Sequence, residues 1–197
     1  MDRPVVIALH YQNDVLHADG RIKVGMDTDG EGRANLIAAA GKLLRGARKN
    51  DWPIIHARVA YCGNYSDLIA NAPILENVRK IGAVIDGSWG AEFLEVLSPH
   101  ENGNEYVVTH KRINAFYGTH AEALLTMLGA RTLIIAGVAT HSVVESTVRH
   151  AVDCGYKVMV PSDACSSADP SAHQASLNSM SLIARITSVR QLMESLV

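Results

Sequence analysis

A chain of 197 residues suffices for one domain with a sizeable core, and 48% hydrophobic against 19% charged residues is a globular balance. A formal net charge of −2 and a pI near 6.5 give no electrostatic case for nucleic acid or an anionic membrane as partner. The opening MDRPVVIALHYQND holds an apolar run too short for a signal-peptide core or a transmembrane helix, so a cytoplasmic protein is expected.

In chain order, the pattern predicts a strand at 4–9, a helix at 32–50, a strand at 53–59 and a helix at 90–97. A strand at 106–109, a helix at 121–128, a strand at 132–136 and a helix at 143–154 follow. The chain closes with a strand at 157–161, a helix at 172–180, a weaker strand at 182–187 and a helix at 189–196. Gly129 and Gly155 sit where helix-ending glycines are expected. Apolar runs this continuous suit strands covered on both faces. The alternation predicts one α/β domain over residues 1–197, three-layer α/β/α and doubly wound, with a mainly parallel six-stranded sheet. The least regular stretch, 60–88, reads as loops over a pocket.

Sites in such folds gather beyond the carboxyl ends of the strands, which nominates residues 9–14, 110–115, 137–143 and 162–166. His10 ends the first strand and has the titration range of a general acid or base; alternatively it is a hydrogen-bonded structural histidine. Asp14 reads as a brace for its loop. Lys111 lies just past a buried strand, where an unpartnered charge is costly. It either holds a substrate anion and tunes a neighbouring acid, or points to solvent. The segment Gly137-Val138-Ala139-Thr140-His141-Ser142-Val143 joins a strand to a helix, whose free N–H groups form a ready anion site. Thr140, His141 or Ser142 can equally serve as helix caps, and no Gly-x-Ser-x-Gly elbow surrounds Ser142.

These segments, in this order, resemble the isochorismatase-like cysteine hydrolases, a family that includes nicotinamidases, N-carbamoylsarcosine amidases and isochorismatases. The likeness runs from about Val5 to Ile186 and is strongest in HKRINAFYGTHAEALL, LGARTLIIAG and GVATHSVVESTVRHAVDCGYKVMVPSDAC, with GSWGAEFLEVLSPH resembling a pocket-flanking stretch. The resemblance implies an aspartate at the end of the first strand, a lysine after a central strand and a cysteine at a helix start. The cysteine attacks a carbonyl carbon, the aspartate takes its proton and the lysine assists. Carried over by position, the lysine is Lys111, the aspartate position holds His10 and the cysteine position holds Val143. The resemblance also implies a cis peptide between Val138 and Ala139, and an oxyanion site formed by the backbone N–H groups of Ala139 and Val143.

Valine has no nucleophilic atom, so an acyl-enzyme through residue 143 is excluded. Of the three cysteines, Cys154 lies roughly 16 Å along an ideal helix from Val143 and Cys165 looks structural, which leaves Cys62 as the one able to reach the pocket. The odd number and wide spacing suit reduced thiols rather than a disulfide framework. Ser142 is expected to point away, because a helix turns successive side chains by about 100°. The reading is therefore a non-covalent hydrolase, with His10 activating water, Lys111 setting its pKa, and a small amide, ester or enol ether as substrate. The alternative is a small-molecule-binding pseudoenzyme that keeps the pocket without the chemistry. Ala139, Val143, Phe116, Trp89 and His141 are the expected substrate-binding residues. No cofactor is called for. The resemblance implies that a metal, where nicotinamidases hold one, uses an Asp-x-His and a further His in the loop after the second strand; here 61–65 reads Tyr-Cys-Gly-Asn-Tyr and no His-x-x-x-His pair lies on a helix, so a catalytic metal is not expected. The resemblance further implies a homodimer or homotetramer.

Overall fold

The computed structural model describes residues 3–25, 30–101 and 103–196. In order, it comprises β1 (Val5–Leu9), α1 (Asn13–Leu16), α2 (Gly30–Lys49), β2 (Ile54–Val59), α3 (Pro73–Ile81), β3 (Glu105–His110) and α4 (Ala121–Met127). There follow β4 (Thr132–Val138), α5 (Glu145–Asp153), β5 (Lys157–Pro161), β6 (Cys165–Ser166), α6 (Pro170–Met180), β7 (Arg185–Thr187) and α7 (Val189–Leu196). All strand pairings in the sheet are parallel, in the order β3-β2-β1-β4-β5-β7, and the two-residue β6 extends β4 at Gly137 and Val138. The expected doubly wound parallel sheet is present, with β6 as an added seventh strand.

Strand composition explains strand placement. Every residue of β1 is buried, as a central strand covered on both faces requires, whereas β3 and β7 at the edges are only partly covered. From the β1–β4 pair the chain winds outward in opposite directions, so right-handed crossovers put their helices on opposite faces. Accordingly α2 packs with α7, and α5 with α6. The central strands approach closely: a Cβ on Gly137, whose φ is 150°, would stand 2.3 Å from the Leu9 carbonyl oxygen.

Three stretches differ from expectation. Residues 90–97 form two 3-10 turns, Trp89–Ala91 and Glu95–Leu97, rather than one helix. Between and beside these turns the backbone bonds to the segment after β1: Asn13 N–H donates to the Glu92 carbonyl at 2.9 Å, and Leu94 N–H to the Tyr11 carbonyl at 2.8 Å. The stretch 60–88 contains α3, which starts on Pro73 and stops at Gly82 in the left-handed conformation, φ 66°. Residues Thr140–Val144 form a π-type turn, so α5 begins only at Glu145. Gly129 and Gly155 do end α4 and α5 with positive φ, 62° and 88°.

Candidate active site

β1 and β4 are neighbours whose connections leave in opposite directions, and in such sheets the crevice beyond their carboxyl ends is the binding place. His10 enters it directly after β1. Its backbone is left-handed, φ 57°, a conformation unusual for a residue with a side chain, and its N–H donates to the Ala57 carbonyl at 2.9 Å. The imidazole reaches over the end of β2 to His110, the last residue of β3. The two Nε2 atoms are 2.6 Å apart, and the rings are nearly parallel, at 11° with centroids 4.7 Å apart.

The segment after His10 is held by buried amides and a carboxylate. Gln12 donates to the carbonyls of Val59 and Ala91 at 2.9 and 2.8 Å and accepts from Val59 N–H at 2.9 Å. Asn13 donates to the Trp89 carbonyl at 2.9 Å. Asp14, 3% exposed, accepts from Val84 N–H at 2.7 Å and Arg21 N–H at 3.2 Å, which makes it the loop brace its position suggested. Gly90 is required beside it, since a Cβ there would lie 2.1 Å from Asp14 Oδ2. These bonds fix the chain on either side of the histidine and so fix its aim.

Hydrogen-bond logic assigns the protons of the pair. His110 Nδ1 is 2.9 Å from the Arg112 carbonyl, which only accepts, so Nδ1 carries hydrogen. In neutral His110 the Nε2 atom is then bare and accepts from His10 Nε2–H, leaving Nδ1 of neutral His10 unprotonated. Burial drives His110 down to about 4, against the Arg112 carbonyl, which favours its charged form. Burial also lowers His10 well below the ordinary histidine value; His110 adds to this and the Val138 carbonyl opposes it. Burial thus disfavours a charge on either ring near neutral pH.

His10 lines a pocket of about 60 Å³, room for about two waters, whose walls are otherwise mostly aliphatic. Val15, Ile22, Val24 and Val59 meet Ile74, Leu75 and Val78 of α3 on one side, and Val138, Ala139 and Val143 on the other. The polar side chains among the described lining residues are those of His10, Tyr61, Arg112 and Ser142. The Val138–Ala139 peptide is cis. The π-type turn is supported from α6: Thr140 Oγ1 is 2.8 Å from His173 Nδ1, and Ser176 Oγ donates to the Thr140 carbonyl and to Glu145 Oε2, at 3.3 and 2.6 Å. Such wide turns inside helices are frequent at functional sites.

Of the residues singled out from sequence, the structure brings His10, Ala139 and Val143 together around this pocket. Lys111 is directed elsewhere, its Nζ donating to the Ala60 carbonyl and to Asp67 Oδ2, both at 2.6 Å. Burial would raise the Asp67 carboxyl, but hydrogen bonds from Lys111 and Cys62 outweigh it and hold the group at about 2. Phe116 is buried away from the pocket, stacked on His150 with centroids 4.7 Å apart. Trp89 is 47% exposed and sits edge-on to His17, not near His10. His141 points outward to Ser167 Oγ, at 2.7 Å. Cys62 bonds Asn64 and Ser66 within its own loop, outside the pocket lining. Ser142 does line the pocket, because the π-type turn does not rotate residues as an α-helix would. His110 lies in the nominated segment 110–115, but its pairing with His10 was not anticipated. The signal lay in alternation: Val108 and His110 are the buried positions of β3, so Lys111 falls on the other side.

The Isochorismatase domain family matches residues 4–191 of this chain. The chain belongs to the isochorismatase family. Among its relatives, the uncharacterized isochorismatase family protein YwoC of Bacillus subtilis is 34% identical over 143 residues, 72% of each chain. A protein of Arabidopsis thaliana described as a probable inactive nicotinamidase is 36% identical over 103 residues, 52% of each chain. A solved isochorismatase family protein from Desulfovibrio vulgaris superposes with a TM-score of 0.86 over 99% of both chains at 27% identity. Isochorismatase-like hydrolases are thus its structural neighbours. No helix among the described residues is long and apolar enough to cross a membrane.

Proposed function

We propose that this isochorismatase-family protein hydrolyses a small, largely apolar amide, ester or enol ether by direct attack of water, without a covalent intermediate. The observation that carries the reading is the contact of His110 with His10, a residue that lines a mostly aliphatic pocket. An enol ether would take a proton from the His10 ring onto its vinyl carbon before water adds to the resulting cation. For an amide or ester, water held at His10 passes its proton to the imidazole as its oxygen bonds the carbonyl carbon, the imidazolium is favoured by the Val138 carbonyl, and that proton leaves with the departing amine or alkoxide as the C–N or C–O bond breaks. The developing oxyanion rests on the Ala139 and Val143 backbone amides, which do not depend on the side chain at 143. His110 takes the place that Lys111 was expected to fill. Two imidazoles sharing a hydrogen bond are neutral together, and Lys111 is retained but pairs with Asp67, so among the described residues the site holds no unpaired buried charge.

The pocket limits the substrate. With mostly aliphatic walls and polar side chains at His10, Tyr61, Arg112 and Ser142, it suits a small, largely hydrocarbon body bearing a carbonyl or enol-ether group. His10→Ala is expected to abolish turnover of p-nitrophenyl butyrate and of a panel of short-chain amides and enol ethers while leaving the circular dichroism spectrum unchanged. An unaltered rate in that variant would refute the reading.

A second reading, a binding protein without turnover, is favoured by Val143 and by the relative described as inactive. It predicts that members of the same panel raise the melting temperature in a His10-dependent way, yet are recovered intact after prolonged incubation.

A further inference from the structure

Away from the pocket, Glu122 in the first turn of α4 faces the end of α5, where His150 and Cys154 lie one turn apart on the same side. The three ligand atoms fall within 4.8 Å of one another. His150 Nε2 is 3.0 Å from Glu122 Oε1, and Cys154 Sγ is 3.9 Å from the same oxygen. Stacking on the buried Phe116 ring, at 14°, fixes the plane of His150 and keeps Nε2 turned towards Glu122.

We propose that Glu122, His150 and Cys154 form a zinc-type metal site on the surface, separate from the His10 pocket, with a fourth position for water. In a tetrahedral zinc site with bonds of about 2.0–2.3 Å, neighbouring ligand atoms stand about 3.3–3.8 Å apart. The two separations from Glu122 Oε1 bracket that spacing and the third is within 4.8 Å, differences on the scale of side-chain rotation. The donor set selects the ion: thiolate with imidazole suits zinc or cobalt, while magnesium and calcium demand oxygen ligands throughout. Charge agrees as well. Thiolate and carboxylate together neutralise a dication, and the C-terminal end of α5 contributes partial negative charge from its last carbonyls. The ion would tie α4 to α5, the helix that continues from the π-type turn lining the pocket.

The test uses the full-length, tag-free, chelator-stripped protein, and none of its readouts depends on turnover. Zinc is titrated against a chromophoric chelator, and Co²⁺ is added separately to report thiolate ligation through its near-ultraviolet charge-transfer band. One zinc per chain is expected. The cobalt band should vanish in Cys154→Ser, affinity should fall at least tenfold in His150→Ala and in Glu122→Gln, and both should persist in His10→Ala. Zinc should also slow iodoacetamide alkylation of Cys154 but not of Cys62, measured by peptide mapping in the same sample. Absence of stoichiometric zinc, a cobalt band that survives Cys154→Ser, or one lost in His10→Ala overturns the proposal.

Discussion

Replacing His110 with glutamine tests the electrostatic account of the pair. Folded His110 titrates at about 4, against about 6.5 for an unfolded histidine, because burial disfavours its cation. Between those values the unfolded chain binds more protons than the folded one, so this residue costs stability as pH falls. The loss begins near the unfolded value and is complete below the folded one. A shift of this size corresponds to about 3 kcal/mol, of which about 2 kcal/mol is already lost on going from pH 7 to pH 5. Because His110 is fully buried, solvent screening does not erode that figure. His110→Gln keeps a hydrogen-bonding side chain but cannot titrate, and it also removes the second-largest influence lowering His10. Urea unfolding of both proteins at pH 7 and pH 5 should show the variant losing about 2 kcal/mol less than the parent across that interval. Equal losses in the two proteins would refute the argument.

Three further outcomes follow from other parts of the molecule. Lys111→Met should leave turnover of p-nitrophenyl butyrate within about twofold and cost at most about 1 kcal/mol in urea unfolding, because its ammonium serves Ala60 and Asp67 on a partly exposed loop. Glu105→Gln should destabilise by about 3 kcal/mol, read by the same unfolding assay. Its buried carboxylate pairs with Arg48 at 2.7 Å and His56 at 2.7 Å; burial opposes ionisation, but these partners hold the group well below the usual carboxylate range. Gly25→Ala should weaken ligand-induced thermal shifts and cost about 1–3 kcal/mol, since a Cβ there would sit 2.0 Å from Val138 Cγ1 on the pocket wall.

Much of the fold was legible because its strands are buried on both faces and therefore read as unbroken apolar runs. The runs at β1 and β5 match the structure to within a residue. The short α3 was missed although Pro73 and Gly82 bracket it, because its exposed polar face dilutes the apolar spacing within an irregular region. The turns at Trp89–Ala91 and Glu95–Leu97 were read as a helix since periodicity does not reveal that Asn13 and Tyr11 claim their backbone partners.

At the site, His10, Ala139 and Val143 were visible because each lies at the end of a recognisable strand or the start of a helix. Lys111 drew attention by residue type, whereas strand alternation gave the inward position to its neighbour His110. Phe116 and Trp89 were chosen as aromatics near a crevice, but one is claimed by His150 and the other by His17. Ring partners formed across long sequence separations leave no local trace. Ser142 was turned away on α-helical geometry, and the wider turn at Thr140–Val144 returns it to the pocket lining.

The most direct measurement is rapid-quench intact-protein mass spectrometry during turnover of p-nitrophenyl butyrate, run beside product release. Water attack at His10 predicts product accumulating while the polypeptide mass stays constant from the first turnover onward. A transient butyryl adduct mapping to Ser142, or to any other side chain of the pocket, would contradict it.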